Sequence, residues 1–168
     1  MAWIPNIGLL IRLMDLLTAA RYVVQGDSML PNLEEGQYIL VNRRAYRRAN
    51  PSRGDVVVLR HPARPGRSYI KRIVALAGDL VEVSGSRVSV ESSPPAPLED
   101  WASLQDDGDS LHATQRQVYT LVDGQCFVMG DNLRDSDDSR NFGPVDLEMV
   151  LGKCWIRYWP VSSWKVLT

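Results

Sequence analysis

Two side chains of this sequence are suited to covalent chemistry as a pair, a serine in a turn and a lysine among apolar neighbours. Ser28 stands in Gln25-Gly26-Asp27-Ser28-Met29-Leu30-Pro31, directly after the apolar run Tyr22, Val23, Val24. Turn residues there lift the hydroxyl off a strand ladder, where substrate can reach it. Gly-Asp-Ser is also ordinary turn chemistry, so the serine needs a base before it means anything. The two histidines are His61, in the loop His-Pro-Ala-Arg-Pro-Gly-Arg, and His112, in an irregular stretch; neither position suits a triad. Lys71 fits better. In Tyr69-Ile70-Lys71-Arg72-Ile73-Val74-Ala75, a period of two puts Tyr69, Lys71, Ile73 and Ala75 on one face. An ammonium there is poorly solvated, and a lysine acting as a base near neutrality needs a pKa roughly 2 to 3 units below the ordinary value. Burial supplies a shift of that size. The alternative is a lysine that snorkels from an edge strand.

A third group of polar residues lies at 129–145, Met-Gly-Asp-Asn-Leu-Arg-Asp-Ser-Asp-Asp-Ser-Arg-Asn-Phe-Gly-Pro-Val. Such a run of carboxylates raises calcium. A calcium loop begun at Asp135 has Arg140 where the turn requires glycine, and one begun at Asp131 has Leu133 at a ligand position. What remains is a solvated acidic loop or a hydrogen-bonded scaffold around a buried lysine. Cys126 and Cys154 have no CxxC spacing and no histidine at ligand spacing, so no zinc site is expected. They form one disulfide if the domain lies outside the cytoplasm, or stay as two buried thiols.

These groups must be held by strands. Beyond residue 20, runs rich in Val, Ile and Tyr alternate with Gly, Pro, Asn and Asp clusters, which predicts strands near 22–25, 38–41, 55–60, 69–76, 80–84, 87–91, 117–121, 125–129 and 152–159. The stretch 92–115 carries Pro94, Pro95, Pro97 and an acidic run without periodicity, so it reads as an exposed excursion. The expectation is a mainly β domain over 21–168, preceded by a helical segment.

The 168 residues suit one domain plus an anchoring segment. With 23% charged residues and a net charge of −1, no overall basic excess points to nucleic acid. In residues 1–20, Ile7, Leu10, Ile11, Met14 and Leu17 recur at helical spacing after Pro5. On an insertion scale the large apolar side chains contribute roughly −4.5 kcal/mol, while Arg12 and Asp15 cost about 3 each. The sum is slightly unfavourable, so the segment is expected to anchor at the membrane interface, with a marginal span second and a helix packed on the domain third. Arg43, Arg44, Arg47 and Arg48, then Arg60, His61, Arg64 and Arg67, form basic clusters that are either solvated loops or attracted to anionic head groups. Trp155, Tyr158, Trp159 and Trp164 suit packing or a membrane interface.

The ordered segments resemble the type I signal peptidase family. Gly26-Asp27-Ser28-Met29-Leu30-Pro31 resembles its nucleophile motif, Gly54-Asp55-Val56-Val57-Val58 its next strand, residues 69–79 its lysine segment, and Gly130-Asp131-Asn132 through Ser136, Asp138, Ser139, Arg140 and Gly143 its last motif. The resemblance implies a signal-peptidase-like antiparallel β domain of coiled sheets with an N-terminal apolar helix. It implies Ser28 as nucleophile, with its N–H in the oxyanion hole, and Lys71 as general base. Ser136 would orient Lys71, and Asp131, Asp138, Arg72 and Arg140 would hold the scaffold. Substrates would be exported precursors with signal peptides ending in Ala-X-Ala, received by pockets lined by Val24, Met29 and Ile70. The family needs no metal or organic cofactor, and implies a bacterial plasma membrane location with the catalytic domain outside the cytoplasm.

Three departures stand out. Asn32 follows the proline where the family usually has Thr, Gly26 offers no side-chain oxyanion donor, and the first segment is shorter and more charged than the usual anchor. Related readings are a dedicated maturation protease, of the nickel superoxide dismutase or mitochondrial inner-membrane kind, a self-cleaving SOS-type repressor, which the missing helix-turn-helix disfavours, or an inactive membrane- or peptide-binding β domain.

Overall fold

In the computed structural model the described residues are 18–47, 49–92 and 116–167. The N-terminal helix expected in 1–20 lies outside them except for its last residues, and so does the excursion from 93 to 115. The described chain is mainly β, and every strand pair is antiparallel. The strands are β1 (Ala20–Val23), β2 (Tyr38–Asn42), β3 (Val56–Arg60), β4 (Ser68–Leu76), β5 (Leu80–Ser84), β6 (Arg87–Glu91), β7 (Gln117–Thr120), β8 (Gln125–Met129), β9 (Val145–Asp146), β10 (Val150–Trp159) and β11 (Lys165–Val166). One short helix, α1 (Ser139–Phe142), lies between β8 and β9. The larger sheet runs β1-β2-β10-β3-β4-β8-β9, with β11 on β10, and the smaller runs β6-β5-β7.

The unbroken apolar run of β3 reflects a strand buried on both faces. Val56 and Val58 enter one core cluster with Val24, Met29, Ile39, Val41 and Cys154. Val57 and Leu59 point the other way, into a cluster with Ile73, Cys126, Val128 and Val145. A strand with two covered faces has no polar alternation to display. A third cluster joins the two sheets through Val74, Ala75, Val81, Val83 and Phe127.

The period of two expected along β4 holds only as far as Ile73. Pairing with β8 goes from Ile73↔Val128 to Ala75↔Phe127, so β4 carries an extra residue there. This bulge turns Ala75 into the cluster between the sheets while Tyr69 and Ile73 stay in the other, so Ala75 does not share the Lys71 face. Other boundaries also moved. The first strand starts at Ala20 rather than 22, and β10 starts at Val150 rather than 152. The two-residue strands β9 and β11 and the helix α1 had no sequence expectation, being too short to carry a periodic signal.

Candidate active site

β1 is an edge strand, and after Val23 the chain leaves its ladder. Gly26, at φ 73°, makes the turn in the left-handed region that a side chain disfavours. Met29 then buries its side chain at 1% exposure, pinning the far side of the turn, while Ser28 is left half-buried. The turn is also tied to the later acidic loop. Ser28 O accepts from Asn132 N–H at 3.0 Å and Asp27 O accepts from Asn132 Nδ2 at 3.1 Å. Gly130 must be glycine here, because a Cβ would collide with the Ser28 carbonyl oxygen and the Ser136 side chain.

The ammonium of Lys71, in mid-β4, donates to Ser28 Oγ at 2.8 Å. Lys71 is 2% exposed, and the Tyr69 ring centroid lies 5.3 Å from its Nζ. Burial pulls the Lys71 pKa from the ordinary 10.5 down to about 8. The carboxylates of Asp138, Asp137 and Asp131 resist that fall, while the Arg140 guanidinium adds to it. The drop matches the size a lysine base requires.

Two arginine–carboxylate forks brace the pair. Arg72 Nε and Nη2 donate to Asp131 Oδ1 and Oδ2 at 2.8 and 2.7 Å, and Arg72 Nη1 donates to Gly54 O at 2.7 Å. Arg140 Nε and Nη2 donate to Asp138 Oδ1 and Oδ2 at 2.9 and 3.0 Å, and Arg140 Nη1 donates to Leu133 O at 2.8 Å. Asp138 is fully buried, caps α1 and accepts from Gly130 N–H at 3.0 Å. Asn32 donates from Nδ2 to Asp131 Oδ2 at 2.9 Å, so this departure from the family pattern is bonded into the fork. A planar guanidinium matched to both carboxylate oxygens fixes position as well as charge.

Ser136 is the exception among the expected supporting residues. Its Oγ is buried without a hydrogen-bond partner, so the bond to Lys71 is not made in this geometry. The hydroxyl packs against Gly130 beside the Ser28 carbonyl.

Ser28 and Lys71 open onto a cleft of about 280 Å³, lined among others by Tyr22, Val24, Met29, Val58, Tyr69 and Ile70. The three expected pocket residues, Val24, Met29 and Ile70, all line it. Asp135 and Asp137 also reach its wall. The sequence pointed to neither, because acids in a loop carry no periodic signal.

His61 is buried and bonded through Nδ1 away from Ser28, while its Nε2 has no hydrogen-bond partner. Its Nδ1 accepts from Ala63 N–H at 3.0 Å, and its Nε2 lies 3.4 Å from Asp137 Oδ2. Both ring nitrogens therefore face groups other than Ser28. Cys126 and Cys154 are free thiols in separate clusters, and burial pushes both up to about 12, which makes them inert. Among the described residues no three His, Cys, Asp or Glu side chains gather as a metal ion would need.

A serine hydroxyl bonded to a buried amine on a β scaffold is the geometry that a serine hydrolase with a lysine base requires. The profile of the family described as "Signal peptidase, peptidase S26" matches residues 1–159. A probable signal peptidase I-1 of Synechocystis sp. is 34% identical over 151 residues, covering 86% of this chain and 72% of that protein. Signal peptidase IB of Staphylococcus aureus is 30% identical over 154 residues, covering 86% of this chain and 80% of that protein. The crystal structure of a signal peptidase I from Enterococcus faecalis V583 is similar at TM-score 0.47 and 29% identity, covering 62% of this chain and 97% of that one. The chain belongs to the signal peptidase family, peptidase S26. It is thus a serine endopeptidase.

Proposed function

We propose that this chain removes signal peptides from exported precursors, with Ser28 as nucleophile and Lys71 as general base, at the outer face of a bacterial plasma membrane. The 2.8 Å contact between Lys71 Nζ and Ser28 Oγ carries the reading. A neutral amine at that distance takes the hydroxyl proton as Oγ attacks the scissile carbonyl. The Ser28 N–H has no internal partner among the described residues, which leaves it free for the developing oxyanion. Collapse of the tetrahedral species passes the proton from the ammonium to the leaving amine. Lys71, neutral again, then activates the water that releases the acyl group. Asp131 with Arg72 and Asp138 with Arg140 keep nucleophile and base at one separation, and rotation of the Ser136 hydroxyl toward Lys71 would orient the amine.

The substrate end also follows from the strands. β4 pairs with β3 over Ser68–Arg72 but with β8 only from Arg72 onward, so its outer edge at 68–71 has no strand partner among the described residues. An extended peptide can pair there and lay small side chains against Val24, Met29 and Ile70, which suits an Ala-X-Ala site.

Membrane contact belongs at the apolar end of the larger sheet. Val23 pairs with Tyr38 and Tyr38 with Trp159, and beyond them Val161 and Trp164 are 70% and 58% exposed. Val23 also lines the cleft, so this apolar surface runs to the site. Arg43 and Arg44 follow Asn42, at the opposite end of β2 from Tyr38, which separates that basic cluster from the aromatic surface. No helix among the described residues is long and apolar enough to cross a membrane.

The test is to incubate purified protein with a precursor bearing an Ala-X-Ala site and to sequence the new N-terminus. Cleavage after the second alanine that disappears in Ser28→Ala supports the reading. An intact precursor, or cleavage that persists in Ser28→Ala, defeats it.

A further inference from the structure

The ring of Tyr69 is held from several sides. Its hydroxyl donates to Asp137 Oδ2 at 3.2 Å and accepts from Arg64 Nη1 at 2.9 Å. The His61 ring packs edge-on against it with centroids 4.7 Å apart. Asp137 is tied in turn to Arg64 at 3.1 Å, to Asn141 Nδ2 at 3.2 Å and, by a longer contact of 3.4 Å, to His61 Nε2. These contacts join the 61–67 turn, β4 and the loop that carries Ser136 and Asp138 into one wall beside the amine.

We propose that Asp137 is a positioning residue for the Ser28/Lys71 pair, acting through Tyr69, whose ring it fixes as a wall of the cleft against the Lys71 amine, and through the negative charge it brings to that wall. The inference rests on the Ser28/Lys71 mechanism proposed above and adds to it a residue that none of the family motifs named.

The charges acting on the amine come from Asp138, Asp137, Arg140 and Asp131. Asp138 is matched by the Arg140 fork and Asp131 by the Arg72 fork, both sheltered from solvent. Asp137 has weaker cover, because Arg64 is 53% exposed and solvent screens its charge. His61 Nε2 lies 3.4 Å from the Asp137 carboxylate without forming a hydrogen bond to it. Desolvation pushes the Asp137 carboxyl up, but hydrogen bonds from Asn141 and Tyr69, the Arg64 charge and His61 outweigh it and hold the group below the usual carboxylate range. Asp137 is therefore ionised wherever Lys71 titrates, and it is the least neutralised of the three carboxylates. The Tyr69 ring face attracts the ammonium at 5.3 Å, but the ring also keeps water from it, and because burial is the largest influence on the amine its net effect favours the neutral form.

The experiment is the pH profile of kcat/KM for the full chain in detergent, with a soluble peptide carrying an Ala-X-Ala site. Asp137→Asn keeps the size and the acceptor for Tyr69 but removes the charge, so the rising limb moves to lower pH by roughly half a unit. Tyr69→Ala lets water reach the amine and moves the limb to higher pH by roughly one unit. Arg64→Ala, an exposed change that threatens folding least, uncovers Asp137 and moves the limb upward by a few tenths of a unit. A merely structural role would lower the plateau and leave the limb where it stands. Limbs unmoved in Asp137→Asn and Arg64→Ala overturn the inference, as does movement in the opposite direction. Ser28→Ala separates the two levels: activity surviving there would sink the serine mechanism itself, whereas a dead Ser28→Ala with unmoved limbs sinks only the role of Asp137.

Discussion

Lys71→Met should make the protein dead and more stable at once. The amine is 2% exposed and its pKa lies near 8 rather than 10.5. Carrying the charge in the folded state at neutral pH therefore costs about 3 kcal/mol relative to the unfolded chain. Methionine fills a similar volume without charge. It forfeits the bond to Ser28 Oγ, a loss of about 1 kcal/mol. The variant should gain about 2 kcal/mol at pH 7, or roughly 4 to 8 °C in Tm for a chain of this length. The pH dependence gives the sharper check. Between the folded and unfolded pKa values the unfolded chain binds a proton that the folded chain has lost, so wild-type stability rises with pH across that window. Below pH 8 the advantage of methionine is complete, and above pH 10.5 it should vanish or reverse by the lost hydrogen bond. Urea unfolding of both proteins at pH 7 and pH 11 measures the difference, and other titrating groups cancel between them. An advantage equal at both pH values would refute a desolvated, proton-shedding lysine.

Other expectations are read by activity, stability and binding. Ser28→Ala, Lys71→Ala and their double variant should each lose cleavage by about 10³-fold or more and to the same extent, because nucleophile and base act as one unit; product sequencing after long incubation detects any remainder. Lys71→Arg should be equally inactive, since a guanidinium keeps its proton. The wild-type rate should climb through a single limb near pH 8, and a limb near the free-histidine value would contradict the lysine base. Gly130→Ala should cost about 1 to 3 kcal/mol in urea unfolding and displace Ser28, because the new Cβ meets the Ser28 carbonyl. Trp159→Ser with Trp164→Ser should weaken sedimentation with anionic vesicles while sparing cleavage of a soluble peptide.

What the sequence revealed followed from how local each signal was. The Val-rich run of β3 and the turn glycines announced strands and corners, and the lysine in an apolar strand announced its own desolvation. That Asp131, Asp138, Arg72 and Arg140 hold the scaffold came from resemblance to family motifs, but which carboxylate meets which arginine came only with the fold, because spacing cannot show that a fork closes. The β4 bulge escaped, since an inserted residue leaves no mark in an unbroken Ile-Val-Ala run. Asp137 escaped for a different reason. Apart from Asn141, its partners stand 68 and more residues upstream, on Tyr69, Arg64 and His61, and only the fold brings them together.

A buried lysine base sets a problem that the surrounding charges must solve. The amine has to be neutral to work, yet the loop that holds it is rich in carboxylates, each of which favours the ammonium. Neutral residues would remove the conflict but also the fixed, charge-assisted bonds that hold the Ser28 turn, β4 and α1 together. The forks answer both needs in part, because the Arg140 guanidinium offsets some of the Asp138 charge, the largest acting on the amine, while each carboxylate keeps its full bonding strength. His61 could not take the place of Lys71 in this arrangement. One ring nitrogen serves a backbone N–H and the other faces Asp137, so recruiting it would break the same wall that shields the amine. The base proposed is thus the titratable side chain that the sheet buries with its reactive atom against the Ser28 hydroxyl.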